Sequence, residues 1–243
     1  MVKGDLRKKQ ILETAEALFA ERGYEKTGVQ DILDVLHLSK GSFYHHFESK
    51  EQVLQRICES RAEKAAAFWA GEKAESGLER MNLLLGGMIP FQREGLAFLK
   101  MILPVFVLPE GRSVRAAYQE ALKRCWLPLT EDALQRMINE KQAFTLHVFR
   151  TAEIALDLVN DLWASLSEEI ILSEKTKRET ASPSDLLVLV EPYRAAVENI
   201  FCAPVGSIEL IRLDGLTRAV AEIHDWWKIP DGEEAADSFL QSP

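Results

Sequence analysis

Residues 27–51 read TGVQDILDVLHLSKGSFYHHFESKE, and this stretch decides the fold. Three helix start signals begin within 23 residues: Thr27 with Gln30, Ser39, and Ser49 with Gln52. They predict a short helix ending near Leu36, a second over about Lys40–His46, and a long helix from Lys50 to about Gly71. Two short helices joined by about three residues are typical of a helix-turn-helix, whose second helix enters the major groove of DNA.

The preceding segment completes a three-helix unit. Its spacing predicts a helix over about Asp5–Arg22 with Ile11, Ala15 and Phe19 on one apolar face. Gly23 follows at the position where a left-handed residue commonly ends a helix.

The residues of these helices carry a family resemblance. They are Ile11-Leu12-x-Thr14-Ala15-x-x-Leu18-Phe19, Gly23-Tyr24-x-x-Thr27-x-Val29-x-Asp31-Ile32 and His37-Leu38-Ser39-Lys40-Gly41-Ser42-Phe43-Tyr44-His45-His46-Phe47-x-Ser49-Lys50-Glu51. The string, within residues 6–54, resembles the N-terminal domain of the TetR family of transcriptional repressors. The resemblance implies an all-α homodimer that binds palindromic operator DNA and is released when its larger C-terminal domain binds a small-molecule effector.

Eight residues are expected to contact double-stranded operator DNA: Thr27, Ser39, Lys40, Gly41, Ser42, Tyr44, His45 and Lys50. Helix N-termini present free amides and hydroxyls to phosphate oxygens, and the two lysines add positive charge. Glycine allows close approach to the duplex, and a tyrosine hydroxyl donates to phosphate. Ser42 and His45 are the expected readers of base edges. The alternative for Thr27, Ser39 and Ser49 is that they are ordinary helix caps.

One departure from the family pattern lies in the turn. Leu36 and His37 occupy places where the family usually has Ala-Gly. The turn needs a left-handed residue, which histidine tolerates better than most non-glycines, at a cost of about 1 kcal/mol.

Charge is distributed unevenly along the chain. The net charge of −9 argues against a nucleic-acid partner, but residues 1–50 hold eight basic and eight acidic side chains and are neutral. The remaining residues carry the whole deficit, so DNA contact is expected near the N-terminus.

Helical periodicity continues to the end of the chain and predicts an all-α fold. Further helices are expected over about Leu78–Gln92, Leu96–Leu108, Ser113–Lys141, Thr145–Ser173, Pro183–Phe201 and Ile208–Trp227. We expect a DNA-binding domain over residues 1–49, a ligand-binding and dimerisation domain over 50–230, and a flexible acidic tail over 231–243. A polar loop is expected over Ser173–Pro183.

Several protein classes are disfavoured. The sequence has no membrane-length apolar run and no apolar signal-peptide core, which predicts a cytoplasmic protein without a membrane partner. Cys58, Cys125 and Cys202 are too scattered for a metal cluster or a disulfide framework, and reduced, mostly buried thiols are expected. Residues beyond 71 match no catalytic motif, so neither an enzyme, a cofactor nor a metal site is expected.

The effector pocket is expected among aromatic and sulfur side chains of the larger domain: Trp69, Met88, Phe91, Phe98, Met101, Phe106 and Trp126. Pro90, Pro104 and Pro128 either interrupt helices and free carbonyl oxygens to face a cavity, or they begin new helices or lie in loops. Glu153, Asp157 and Asp161 could attract a cation but are better interpreted as a solvated face.

The dimer interface is expected on the two apolar helices that follow. Its predicted members are Val159, Leu162, Leu166, Leu189, Tyr193 and Val197. Two such helices from each protomer would form a four-helix bundle across a two-fold axis. Whether the helix over Ile208–Trp227 joins this interface stays open.

Two alternatives to a ligand-released repressor remain. The same fold could serve as a DNA-binding architectural or partner-recruiting protein without a small effector, in which case no enclosed apolar cavity is needed. An enzyme with an accessory DNA-binding domain is the other, although it lacks a catalytic cluster.

Overall fold

The computed structural model describes residues 3–89, 95–106, 111–175 and 182–227. Within these ranges the chain is all-α, as predicted, with ten α-helices and no strand. The helices are α1 Lys3–Arg22, α2 Val29–Leu36, α3 Lys40–Tyr44, α4 Lys50–Gly71, α5 Gly77–Met88, α6 Leu96–Phe106, α7 Arg112–Asn139, α8 Val148–Lys175, α9 Pro183–Phe201 and α10 Leu213–Trp227.

Helices α1 to α3 and the start of α4 share one small core. Ile11, Phe19, Ile32 and Phe43 are buried in it, and the rings of Phe43 and Phe47 pack 5.9 Å apart. These are the apolar faces that the helical spacing predicts, and Phe43 is the buried side chain through which α3 joins this core.

The predicted left-handed turn is confirmed. His37 ends α2 with φ 52° and ψ 47°, and Leu38 N donates to Leu33 O at 3.0 Å. Gly23 ends the first helix with φ 87°. The unusual histidine therefore takes the backbone conformation that the turn requires.

The caps agree with prediction at two of three helix starts. Ser39 and Ser49 accept from Ser42 N and Gln52 N at 3.3 and 3.1 Å. The predicted capping box of Thr27 with Gln30 is wrong, because α2 is capped at Gly28.

Asp31 takes over the capping role at the start of α2. Its carboxylate accepts from Gly28 N at 2.7 Å, where a negative charge is favoured by the helix dipole. The Thr27 side chain turns inward instead.

The long helix α4 leaves the N-terminal unit and enters the larger domain. It packs along α7, which in turn packs against α5 and α8, and α8 packs against α9. Trp126 lies at the centre, fully buried, and its indole N–H donates to Leu84 O at 2.9 Å. Gly77 permits a close approach between α5 and α7, since a Cβ there would lie 2.5 Å from Met137 N.

The last helix begins later than predicted. α10 starts at Leu213 rather than at Ile208, because long-range hydrogen bonds hold residues 204–212 as a loop. Glu198 accepts from Ile208 N at 3.1 Å, while Asn82 accepts from Glu209 N and donates to Ser207 O.

Two of the three prolines lie inside helices. Pro104 is within α6 and Pro128 within α7, as the first alternative for these prolines expects. Pro90 and the 231–243 tail lie outside the described residues, and α8 extends to Lys175, past the predicted start of the polar loop.

Within the described ranges, no helix is long and apolar enough to cross a membrane, and no three His, Cys, Asp or Glu side chains are placed to bind a metal ion. The cysteines are free, but the prediction that they are mostly buried is wrong. Cys58 is buried, Cys125 is partly exposed and Cys202 is exposed at the end of α9.

Candidate nucleic-acid interface

Helix α3 presents a contiguous polar surface. Ser39, Lys40, Tyr44 and His45 are exposed and Ser42 is partly exposed, whereas Phe43 between them is fully buried. Ser42 N already donates to Ser39, so at the start of α3 the backbone N–H groups of Lys40 and Gly41 are the ones left to an anion. Five of the eight predicted side chains are thus brought together on one surface.

Tyr44 is held in an outward orientation. Its ring packs edge-on against buried Phe43 at 5.4 Å, yet the residue is 55% exposed. A phenol anchored by its ring while its hydroxyl faces solvent is suited to donate to a phosphate oxygen.

Lys40 has no ion-pair partner among the described residues. Acidic side chains of the same unit are engaged elsewhere: Glu13 with Lys9, and Asp31 with Gly28 N. Residues 1–50 carry no net charge, but the ammonium group of Lys40 on α3 remains available to a phosphate.

Gly41 is not required by the protein's own packing. A Cβ at this position would meet only Ser39 Oγ, at 4.0 Å, and the backbone is not in the left-handed region. Because the fold accepts a side chain here, an outside constraint such as close approach of DNA gives a reason for glycine.

The structure removes Thr27 from the predicted contact set. The residue is fully buried, and its hydroxyl donates to Gly23 O at 2.8 Å. With no exposed surface, the side chain ties the end of α1 to the start of α2 and does not reach a phosphate.

Lys50 is also engaged within the protein. Its Nζ donates to Tyr24 O at 2.8 Å and lies 4.1 Å from the Tyr24 ring centroid. Desolvation lowers the pKa of Lys50, and burial raises the pKa of Tyr24 to about 12. The predicted phosphate contact is therefore corrected, since this ammonium fastens α4 to the loop after α1.

A basic residue that sequence reasoning missed lies beside α3. Lys8 of α1 places its Nζ 5.8 Å from the ring of Phe47, at the end of the helix-turn-helix. The signal was present as the run Arg7-Lys8-Lys9, but only the fold brings α1 next to the α3–α4 turn.

The predicted effector residues are packed side chains. Met88, Phe98, Met101, Phe106 and Trp126 are buried in the core. Trp69 packs against Gly87, where a Cβ would lie 2.5 Å from its ring, and Phe91 lies outside the described residues.

Four of the six predicted dimer residues are buried inside the protomer: Val159, Leu162, Leu166 and Val197. Their assignment to an interface is wrong, because that side of α8 and α9 is covered by other helices of the same chain. Leu189 and Tyr193 remain partly exposed.

The acidic stripe on α8 is internally paired. Lys123 Nζ lies 3.2 Å from Glu153 and 2.9 Å from Asp157, and Tyr193 donates to Asp161. Hydrogen bonds to Asp157 raise the pKa of Lys123, while those from Arg150 and Lys123 lower the pKa of Glu153.

Residues 11–57 match the family model described as "Bacterial regulatory proteins, tetR family". The N-terminal region of the chain is a TetR-family DNA-binding unit. The protein is a transcriptional regulator of the helix-turn-helix type and, as predicted, not an enzyme. The match ends at Ile57, the eighth residue of α4, so it covers the helix-turn-helix and the base of the helix that leaves it.

Two sequence relatives match the chain to different extents. The regulator UidR of Escherichia coli K12 is 27% identical over 170 residues, which cover 68% of this chain and 84% of UidR. The repressor KstR2 of Rhodococcus jostii is 47% identical over 51 residues, 21% of this chain and 25% of KstR2.

Solved structures share the fold over most of the chain. GusR of Salmonella enterica is similar with a TM-score of 0.52 and 16% identity, covering 84% of this chain and 99% of GusR. A TetR-family regulator from Pectobacterium atrosepticum gives a TM-score of 0.55 at 17% identity, covering 84% and 98%.

Proposed function

We propose that this TetR-family regulator is a repressor that binds palindromic operator DNA as a homodimer and is released by a small-molecule effector. The observation that carries the DNA part is the exposed surface formed by Ser39, Lys40, Ser42, Tyr44 and His45 on α3. Because operator DNA lies in the cytoplasm, the protein would act there. Residues 1–49 would form the DNA-binding domain and residues 50–230 the effector and dimerisation domain.

An exposed apolar face of α8 and α9 supports the dimer. Val188 is 71% exposed and Ile154 is 49% exposed, with Leu189, Leu158 and Tyr193 partly exposed beside them. Exposed apolar side chains on two adjacent helices favour association, and a two-fold axis would bring the same face of a second copy onto them. This face replaces the buried residues predicted from sequence.

Contacts between the two domains support release by an effector. Arg61 of α4 pairs with Glu16 of α1 at 2.5 Å, and its guanidinium lies 6.0 Å from the Phe98 ring of α6. Ser113 at the start of α7 also bonds Glu51 of α4. A ligand that moves α6 or α7 would therefore act directly on the helices that position α3.

The test is a gel-shift titration of operator DNA with Lys40→Ala and Tyr44→Phe. Each substitution removes one phosphate contact, so each is expected to weaken binding, and Lys40→Ala should also reduce the slope of log affinity against log salt by about 1. Specific binding that neither substitution changes would overturn the assignment of α3. Glu63→Gln, on an exposed part of α4 far along the helix, serves as a control.

A further inference from the structure

We propose that the effector site lies between α6, α7 and α8 and takes an uncharged aromatic compound that carries a hydroxyl group, with Trp163 and Asn160 as its polar anchors. The inference rests on the proposed function, because it names the chemical class of the effector.

Two buried polar groups of α8 lack partners in the part of the chain that the structure describes. Trp163 is 1% exposed and its Nε1 has no acceptor; Asn160 is 7% exposed and its Oδ1 receives no hydrogen bond. By contrast, the indole of buried Trp126 donates to Leu84 O. Because native proteins rarely leave buried polar groups unpaired, the pair indicates a ligand.

The two groups complement one kind of polar substituent. They lie three residues apart on α8, so their side chains emerge from the same face of the helix on adjacent turns. One is an N–H donor and the other a carbonyl acceptor. A hydroxyl group accepts from the first and donates to the second.

The aromatic side chains around Trp163 favour a ligand with a flat, apolar ring system. The Trp163 ring lies 5.5 Å from Phe106 and 6.2 Å from Tyr118, and Phe98 lies 5.3 Å from Tyr118. All four residues are buried. Aromatic rings pack favourably in such tilted and edge-on arrangements, so a planar ring can take the place of one of these contacts.

Charged and sugar-like ligands fit less well. Arg61, beside Phe98, is already paired with Glu16, so it offers no free charge to an anion. A sugar would bury several hydroxyl groups against two unpaired protein groups, and each unmatched hydroxyl would be costly.

A surface cleft lies beside one of the two anchors, Asn160. It measures about 340 Å³ and is lined by Ala116, Gln119, Glu120, Lys123, Asp157, Asn160 and Asp161. Asn160 Nδ2 donates to Gln119 O across it, so the amide already links α8 to α7 at this point. Asn160 is the anchor that lines this cleft, and Trp163 follows on the next turn of α8.

The test measures binding of three compounds to the full chain by isothermal titration calorimetry. They share one ring system: 2-naphthol has a hydroxyl, 2-methoxynaphthalene can only accept, and naphthalene has no polar group. We expect 2-naphthol to bind at least about tenfold more tightly than naphthalene, with the ether between them. Equal affinities, or no binding of any of the three, would overturn the site.

Two variants test whether Trp163 and Asn160 cause the preference for 2-naphthol over naphthalene. Trp163→Phe keeps an aromatic ring without the N–H, and Asn160→Leu removes the acceptor. Each should reduce the ratio of 2-naphthol to naphthalene affinity to below about threefold, whereas Asn139→Leu, on exposed α7 surface, should leave it unchanged. Naphthalene binding and circular dichroism report whether a variant is folded; if one is not, the wild-type series decides.

Retention of the full preference in both folded variants would overturn the assignment. A protein that binds operator DNA but none of the three compounds contradicts this site and leaves the DNA-binding function standing. A protein that binds 2-naphthol but no DNA contradicts the function and leaves the site standing.

Discussion

At the scale of single residues, the proposed DNA-binding surface depends on which side chains the fold leaves unengaged. Ser39, Lys40, Tyr44 and His45 face solvent, while the similar-looking residue Thr27 is buried. Sequence chemistry alone could not separate them, because a threonine before a helix is equally suited to capping, packing and phosphate contact. The direction of the side chain decided its role.

Gly41→Ala separates DNA affinity from stability. The fold has room for the methyl group, and alanine in a helix is favoured over glycine by about 0.5–1 kcal/mol, so the melting temperature should stay equal or rise. Operator affinity should fall at least about tenfold, because the methyl group separates backbone and duplex. Differential scanning fluorimetry and fluorescence anisotropy check the two parts.

The matched control is Gly71→Ala at the exposed end of α4, where a Cβ meets nothing within 4 Å. It should change neither operator affinity nor its salt dependence. Unchanged DNA binding by Gly41→Ala would show that no close approach occurs at this residue.

At the scale of helices, the contacts between helix ends hold α5 against α7. Glu140, just after α7, accepts from Gly77 N at 2.7 Å and from Arg136 at 2.8 Å. Gln142 accepts from Leu78 N at 3.0 Å. The free N–H groups at the start of α5 are thus satisfied by the end of another helix.

Glu140→Gln tests this junction through its pH dependence. Hydrogen bonds from Gly77 and Arg136 lower the pKa of Glu140, so its contribution is complete above the ordinary value of 4.5 and is lost as pH falls through the lowered value. The variant should melt below wild type at pH 7, and the difference should shrink below pH 4.5.

Thermal unfolding between pH 3 and 7 measures the difference. Asp132→Asn, on exposed α7 surface and without a partner among the described residues, should give no such pattern. A difference that stays constant with pH would contradict the role of the carboxylate charge.

Local sequence signals predicted where most helices begin and end. Where the prediction failed, contacts between distant residues set the limit of the helix. α2 ends at Leu36, α4 spans Lys50–Gly71 and α9 spans Pro183–Phe201, as capping residues and glycines indicated. The start of α10 was missed, because Glu198 and Asn82 reach across the chain to hold the preceding loop. No local pattern reports such contacts.

At the scale of the whole molecule, burial within the protomer determines which helix face is left for a partner. α8 carries apolar residues on most of its circumference, and periodicity could not show which stripe the chain itself covers. Val159, Leu162 and Leu166 face inward, whereas Ile154 faces solvent. The proposed dimer therefore uses Ile154, Val188 and their neighbours.

Val188→Arg should produce a folded monomer. The residue is 71% exposed, so the protomer loses little stability, but a two-fold interface would bring the new charge close to its copy. Sedimentation should show half the mass, and operator affinity should fall about a hundredfold or more because one half-site is lost. Val205→Arg, on a 90% exposed loop valine, is the matched control and should remain dimeric. A dimeric Val188→Arg protein would contradict the proposed face.

The most direct measurement selects the DNA that the full chain retains from a library of random duplexes, in parallel for wild type, Ser42→Ala and His45→Ala. We expect the protein to enrich a two-fold symmetric sequence whose half-sites lie about one helical turn apart, roughly 34–36 Å. Both variants should relax the preference at positions within each half-site. Failure to enrich any sequence, or an enriched sequence that both substitutions leave unchanged, would contradict DNA reading by α3.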